Sequence, residues 1–460
     1  MTSTALQPRH RSRPAASAPA PSRHRNRQLG LQLVATTNGD PTHPGSPALQ
    51  PVVSRARRLS RARSHVHDLE RRVVAAVAQG QVERARRLRR QLLRSFDARL
   101  LAVNYGARKT RTLMTLAQME HAAHHLNAWR GSRDIAVAGR TPKSDGTYRT
   151  HYSFGLEHRA LQYLCRMAML PGAPGADWNY LSKGRGKDLC VREIVADMPR
   201  NKYWVLADIK GCYDSVQEMG ATRLLPLPSA VAHNVVFGGE LGVATHSPRR
   251  RRRVYRHRRR RNQTPSPTAH GNVIHMSSVH ADRRVVSNSP PGLIQGSACS
   301  DAAMGWLMKP VAEAVGGDIR VFGDDMIIPA RTLRDARASE NTLNSALKAH
   351  PAGELNAKYI RIVKRETGFT FVGYHLRRRR GKTTVAPSVR KLERTLLRFN
   401  EALFDDIGAG RVEPVETEKV LRQWRNGYSA WSIGDAWVER MLCRARRHLG
   451  TFNGTSPRRA

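Results

Sequence analysis

The chain has only five cysteines in 460 residues (Cys165, Cys190, Cys212, Cys299 and Cys443), and no two stand in a Cys-x-x-Cys spacing. That excludes a zinc ribbon and a disulfide framework, and it fits a reducing compartment. No run is long and apolar enough to span a bilayer, no lipidation signal is present, and no internal repeat is found. Acid is scarce. Lys and Arg number 79 against 36 Asp and Glu, a net charge of +43. The first acidic residue is Asp40. The stretch before it is rich in Arg, Ser, Ala and Pro and lacks the continuous apolar core of a secretory signal. Such a start also suits an organellar transit peptide; a disordered basic tail is the simpler reading. A second stretch without acid runs from Leu241 to Ala281.

An excess of positive charge this large predicts a polyanionic partner. Nucleic acid comes first, with an anionic membrane surface as the alternative. The acid-free stretch 241–281 holds Arg249 to Arg253, Arg256 and Arg258 to Arg261, with Tyr255 and His257 between. No packed core is expected from it, so it reads as a mobile Arg-rich insertion. It is suited to binding RNA with little sequence preference. A nuclear-localisation tract and an expendable insertion are the alternatives.

The length allows two or three domains. Residues 1–57 read as the disordered basic tail and 451–460 as a second one. Residues 58–104 read as a helical pair. Val66, Leu69, Val73 and Val77 share one face, Gly80 breaks the run, and Ala85, Leu88, Leu92 and Phe96 share the next. Residues 105–202 read as mixed helix and loop, with a polar hairpin from Pro142 to Arg149. Residues 203–376 alternate strands and helices, and 377–450 are again helical and basic.

The chemistry sits in that strand-rich segment. Asp208 ends an apolar run from Tyr203 to Ala207, and Asp324 and Asp325 lie between the runs Ile319 to Phe322 and Met326 to Ile328. Two strand ends carrying carboxylates can jointly hold hard cations. Mg²⁺ takes oxygen ligands, often one or two carboxylates plus substrate phosphate, and two such ions clamp the attacking and leaving oxygens of an in-line phosphoryl transfer. Taken singly, each motif reads more readily as a turn, a helix N-cap or a solvated hairpin than as a catalytic site; the two together, in this order, are hard to explain as turns.

With those residues in view, the chain resembles bacterial reverse transcriptases, most of all the group II intron type. Asp208-Ile-Lys-Gly-Cys-Tyr-Asp214 is similar to their motif A, Pro291 to Ser300 to motif B, and Val321-Phe-Gly-Asp-Asp-Met326 to motif C. Leu355 to Tyr359 is similar to motif D, and Phe369 to Leu376 to the motif E strand. Pro142 to Arg149 resembles the fingers hairpin, Glu157 to Gln162 the helix after it, 58–104 the N-terminal extension, and Trp424 to Tyr428 a thumb or maturase helix. The resemblance covers roughly 58–450 in the family's order.

It implies an α+β right-hand polymerase: fingers at 105–202, a palm with an antiparallel sheet at 203–376, and a helical thumb at 377–450. Asp208, Asp324 and Asp325, with the carbonyl of Ile209, would ligate two Mg²⁺ ions, or Mn²⁺. Lys143 and Arg149 would bind the incoming triphosphate. Gln295 and Gly296 would line the nucleotide pocket, and Lys358 would protonate the pyrophosphate. Tyr213 would stand under the sugar and exclude a 2′-hydroxyl. The implied partners are an RNA template, a DNA primer and dNTPs, with structured intron RNA as a further one, in the cytoplasm of a bacterium rather than an organelle. Two departures stand out: Gly323 where the family has Ala, and Ile294 where a proline precedes the glutamine. Gly323 gives the Gly-Asp-Asp of viral RNA-dependent RNA polymerases, a rival reading, and a non-catalytic RNA-binding maturase is another. No C-terminal endonuclease with cysteine pairs is expected.

Overall fold

The computed structural model describes residues 49–142, 146, 148–239, 241–245, 285–287 and 292–454, except 176, 183 and 317. From Pro51 onward the described chain forms one contact unit of mixed α+β architecture. No helix among the described residues is long and apolar enough to cross a membrane.

The chain opens with three helices, α1 (Leu49–Ala78), α2 (Val82–Arg94) and α3 (Phe96–Thr110). The expected apolar faces form: Val66, Leu69, Val73, Ala85, Leu88 and Leu92 are buried, whereas Val77 is exposed. Gly80, at φ +68°, makes the turn between α1 and α2, a conformation that suits glycine. Two expectations are corrected. The tail was expected to reach residue 57, yet 49–57 are helical, and the Arg55 guanidinium donates to the Met114 carbonyl at 3.1 Å. The pair ends at Arg94 because Ser95 caps a third helix, its hydroxyl accepting from the Ala98 amide at 3.3 Å. Arg89 is buried beneath these helices. It donates to the carbonyls of Ala168 and Pro171 and stacks 5.2 Å from the Trp306 ring centre.

After α4 (Leu116–His125), β1 (Ile135–Pro142) and β2 (Tyr148–Ser153) pair antiparallel, and most of the expected polar turn between them lies outside the described residues. Then α5 (Leu156–Met169) and α6 (Lys187–Asp197) follow. The hairpin extends into a sheet ordered β2-β1-β4-β5, in which β4 (Gly242–Thr245) runs parallel to β1 and antiparallel to β5 (Val285–Ser287). The Arg-rich segment was expected to lack a packed core from Leu241 onward. Instead Leu241, Val243 and Ala244 are buried in this sheet, and the rest of the segment lies outside the described residues.

The central sheet is antiparallel throughout, ordered β6-β7-β3-β8: β3 (Tyr203–Ile209), β6 (Arg320–Phe322), β7 (Asp325–Ala330) and β8 (Ala357–Lys364). Strand β3 reads as a continuous apolar run because both its faces are covered. Val205, Ala207 and Ile209 belong to the larger core, shared with α5, α9 (Ser300–Leu307), α10 (Lys309–Val315) and α11 (Leu333–Lys348). Trp204 and Leu206 point the other way, into a cluster with Ile194, Phe369, Tyr374 and Trp431. Between β3 and β4 lie α7 (Cys212–Ser215), α8 (Glu218–Leu224) and a single helical turn, Ser229–Val231, that runs into a π turn at Ala232–Val236.

A separate sheet, β9 (Phe369–Phe371), β10 (Tyr374–Arg379) and β11 (Lys382–Pro387), follows. Residues 377–387 were expected to begin a helical region and instead complete this sheet. Arg380 and Gly381, both at positive φ, make the two-residue turn that the strand pairing needs. Three helices close the chain, α12 (Val389–Gly408), α13 (Val415–Asn426) and α14 (Gly434–Gly454), around Phe399, Leu421, Val438 and Leu442.

One buried group gives this core a pH dependence. His158 is 0% exposed; its Nδ1 lies 3.0 Å from the Ser132 hydroxyl, and its Nε2 has no hydrogen-bond partner among the described residues. Burial, helped by the Arg159 charge, pushes its pKa down to about 3. The unfolded chain takes up this proton below about pH 6.5 while the folded chain resists. Stability is therefore full above that pH, and this group removes about 1.4 kcal/mol for each unit of acidification in the window. The urea midpoint should be lower at pH 5 than at pH 7 in wild type, and His158→Asn should flatten the difference. An equally steep decline in the variant would assign the acid sensitivity elsewhere.

Candidate active site

Asp208 and Asp325 are direct cross-strand partners on β3 and β7. Directly opposed antiparallel residues share a face, with Cβ atoms about 5 Å apart, and like charges so placed are destabilising. The face is the one that carries Trp204 and Leu206. Strand β6 feeds β7 through a two-residue turn, Gly323-Asp324, since Phe322 pairs with Asp325. Gly323 takes φ +71°, which the first position of such a turn requires. The turn is tied to the neighbouring strand where the Ile209 amide donates to the Asp324 carbonyl at 3.3 Å. All three carboxylate residues are half-buried.

The fourth strand supplies a cation. The β3–β8 pairing slips between Asp208 and Ile209, so that Asp208 faces Tyr359 and Ile209 faces Ala357. Lys358 is the extra residue of this bulge, a device that re-aims a side chain. Its Nζ lies 3.9 Å from Asp208 Oδ2. The electrostatics record the crowding of acids. Burial, then the charges of Asp324 and Asp208, push the Asp325 carboxyl up to about 7, with Lys358 opposing. Burial and the same three carboxylates also raise the Tyr359 hydroxyl.

A second group of sequence-predicted residues meets beside α7. The Tyr213 ring packs against the larger core, and its hydroxyl donates to Asp301 Oδ1 at 3.3 Å. Burial, followed by the charges of Asp301, Cys212 and Asp324, raises that hydroxyl far above the usual phenol range. The loop before α9 clamps the α7 backbone. The Leu293 amide donates to the Tyr213 carbonyl at 2.7 Å, and Gly292, at φ +59°, leaves no room for a Cβ, which would stand 2.2 Å from that same oxygen. Gln295 Nε2 reaches Asp214 Oδ1 at 3.4 Å, and its carbonyl accepts from the Tyr152 amide at 3.0 Å. The Gly296 carbonyl accepts from Arg159 at 2.8 Å.

Gln295 and Gly296 are thus held against β2, the strand that carries Arg149. Arg149 is exposed and pairs across the hairpin with Thr141, while Lys143 lies outside the described residues. Sequence reasoning missed Arg159 and Gln162 as anchors of the 292–300 loop, and it missed Asp301. Arg159 and Gln162 stand three apart on α5, one helical face, and Gln162 Oε1 accepts from the Ala298 amide at 3.2 Å.

Among the described residues, no group of three or more His, Cys, Asp or Glu side chains forms a ready-made metal cage. The donor set fits a different pattern, in which Mg²⁺ takes one or two protein carboxylates and completes its shell with water and substrate phosphate. Asp208 and Asp324 would be those ligands, with Asp325 beside Asp208 across the strand pair.

No family model matches the chain, and no curated protein matches it. Solved structures do. The chain is similar to apo telomerase from Candida tropicalis, truncated from its C-terminal domain, at 11% identity and a TM-score of 0.36, covering 56% of each chain. It is also similar to the insertion-loop deletion mutant of the RNA-dependent RNA polymerase of a human picobirnavirus, at 12% identity and a TM-score of 0.41, covering 69% of this chain and 59% of that one. The match spans under two thirds of the length of each of these structures.

Proposed function

We propose that the chain is a right-hand polymerase that copies RNA into DNA. The observation that carries this reading is the pairing of Asp208 with Asp325 across β3 and β7, with Asp324 on the adjoining turn. Three acids thus crowd together in a chain of net charge +43. Magnesium bound there would lower the cost of bringing two anions together and stabilise charge on the transferring phosphate.

The chain's own residues do the positioning. The primer 3′-hydroxyl would give up its proton to water as its oxygen bonds to the α-phosphorus of the dNTP; the bond from that phosphorus to the bridging oxygen breaks, and pyrophosphate leaves. Lys358, against Asp208, is the candidate to meet the charge on the leaving group. Arg149, with Lys143, would take the triphosphate from the hairpin. Tyr213 would floor the sugar site, and the loop containing Gln295 and Gly296 would wall the base. Gly323 favours neither this reading nor an RNA polymerase, because the turn itself asks for glycine.

The test is primer extension on an RNA template with Mg²⁺, offering dNTPs and NTPs separately. Extension with dNTPs alone supports the proposal. Extension with NTPs would make the chain an RNA polymerase. Tight RNA binding without extension by either would favour the maturase role, with structured intron RNA as partner.

A further inference from the structure

Asp301 stands at the start of α9, 88 residues from Tyr213 in sequence, yet it accepts the Tyr213 hydroxyl at 3.3 Å. The Tyr213 backbone is already fixed. Its carbonyl is held by the Leu293 amide at 2.7 Å, and Gly292 closes over the same oxygen. Next to it, Asp214 is held by Gln295 at 3.4 Å. Those contacts fix the backbone, and the ring itself is set by its packing against the larger core and by the bond to Asp301. The bond to Asp301 acts at the far end of the ring, where leverage is greatest. It is long for an O–H···O bond, so it directs the ring rather than locking it.

Resting on the proposed polymerase reading, we infer that Asp301 is a positioning residue that sets sugar selectivity by holding the Tyr213 ring at the height where it meets a 2′-hydroxyl. In this role Asp301 need not touch the sugar or the reacting phosphate. It acts through Tyr213, so its loss should relax discrimination more than it slows dNTP addition.

The experiment compares kcat/KM for dNTP and NTP addition on an RNA template in wild type, Asp301→Ala, Asp301→Asn, Tyr213→Phe and the Asp301→Ala/Tyr213→Phe pair. One hydrogen bond is worth about three- to tenfold in the dNTP/NTP ratio. Asp301→Ala and Tyr213→Phe should each lower the ratio by that much, and the pair no further. Asp301→Asn, which keeps an acceptor oxygen and the fold, should stay near wild type. If wild type prefers dNTPs and Asp301→Ala keeps the full preference, the inference fails while the polymerase reading stands. Additive losses in the pair would also overturn it, since the two residues would then act separately. If wild type extends with neither nucleotide or shows no preference, the parent reading fails and this one with it.

Discussion

Asp324→Asn should abolish primer extension, with a loss of about a thousandfold or more, whereas RNA binding should change little. On the proposed reading, removing one carboxylate from the cation clamp would forfeit about 4 kcal/mol or more of transition-state stabilisation, while affinity for RNA would come from many dispersed Arg and Lys contacts. Asp208→Asn should match it, because Asp208 stands where β3 meets both β7 and the Lys358 bulge. Asp325→Asn should be milder. Asp325 lies in the strand proper, and its carboxyl is pushed up to about 7 by burial, Asp324 and Asp208. In metal-free protein that raised pKa makes ionised Asp325 a destabilising group. The folded state holds the proton between the ordinary carboxylate pKa and about 7 while the unfolded state has lost it, so stability declines as pH rises through that window. Asp325→Asn should then raise the metal-free Tm at pH 8 and leave it nearly unchanged at pH 4. Extension surviving in Asp324→Asn would remove the carboxylates from the chemistry. A lower Tm at pH 8 in Asp325→Asn would show that the acids are not crowded as described.

Why these residues were legible in the sequence, and others were not, follows from the range of the interactions involved. Asp208 and Asp324 each end an apolar run, and an apolar run with an acid at its tip is a local pattern. The same holds for the hairpin after Pro142 and the helix faces at Val66 and Leu88. Lys358 was legible as a residue, but the bulge that turns it onto Asp208 depends on how β8 registers against β3. Asp301 carries no local signal, because its partner is 88 residues away. The misread boundaries have local causes of their own. Ser95 lies inside an apparently continuous helical pattern, so its capping role carries no local signal. The 377–387 strands are so rich in Arg and Lys that their alternation was hidden. Leu241 to Thr245 was absorbed into the Arg-rich stretch because charge, and not burial, defined that segment.

The largest expected effect on stability falls on a residue without any catalytic signature. Asp406, in the last turn of α12, is 0% exposed. It accepts from the Glu416 and Thr417 amides at 3.0 Å each, the Thr417 hydroxyl at 2.8 Å and Arg411 at 2.7 Å. The N-cap of α13 is Pro414, which offers no side-chain acceptor. Asp406 therefore caps α13 from the neighbouring helix and satisfies amides that α13 cannot satisfy itself. Burial opposes its ionisation, but the two amides, Arg411 and the Thr417 hydroxyl outweigh it and hold the carboxyl below its ordinary value. The stabilisation is thus present above the ordinary carboxylate pKa and is lost as pH falls through the lowered one. Asp406→Ala leaves these donors without a partner and should cost about 3–5 kcal/mol at neutral pH. Asp406→Asn should recover only part, because its amide nitrogen faces donors. Hydrogen exchange should show the loss concentrated in 389–454, with β3 and β7 retaining their protection. A uniform loss across the chain would mean that the three C-terminal helices do not open as their own unit, and unchanged protection in 415–426 would mean that Asp406 is not the cap.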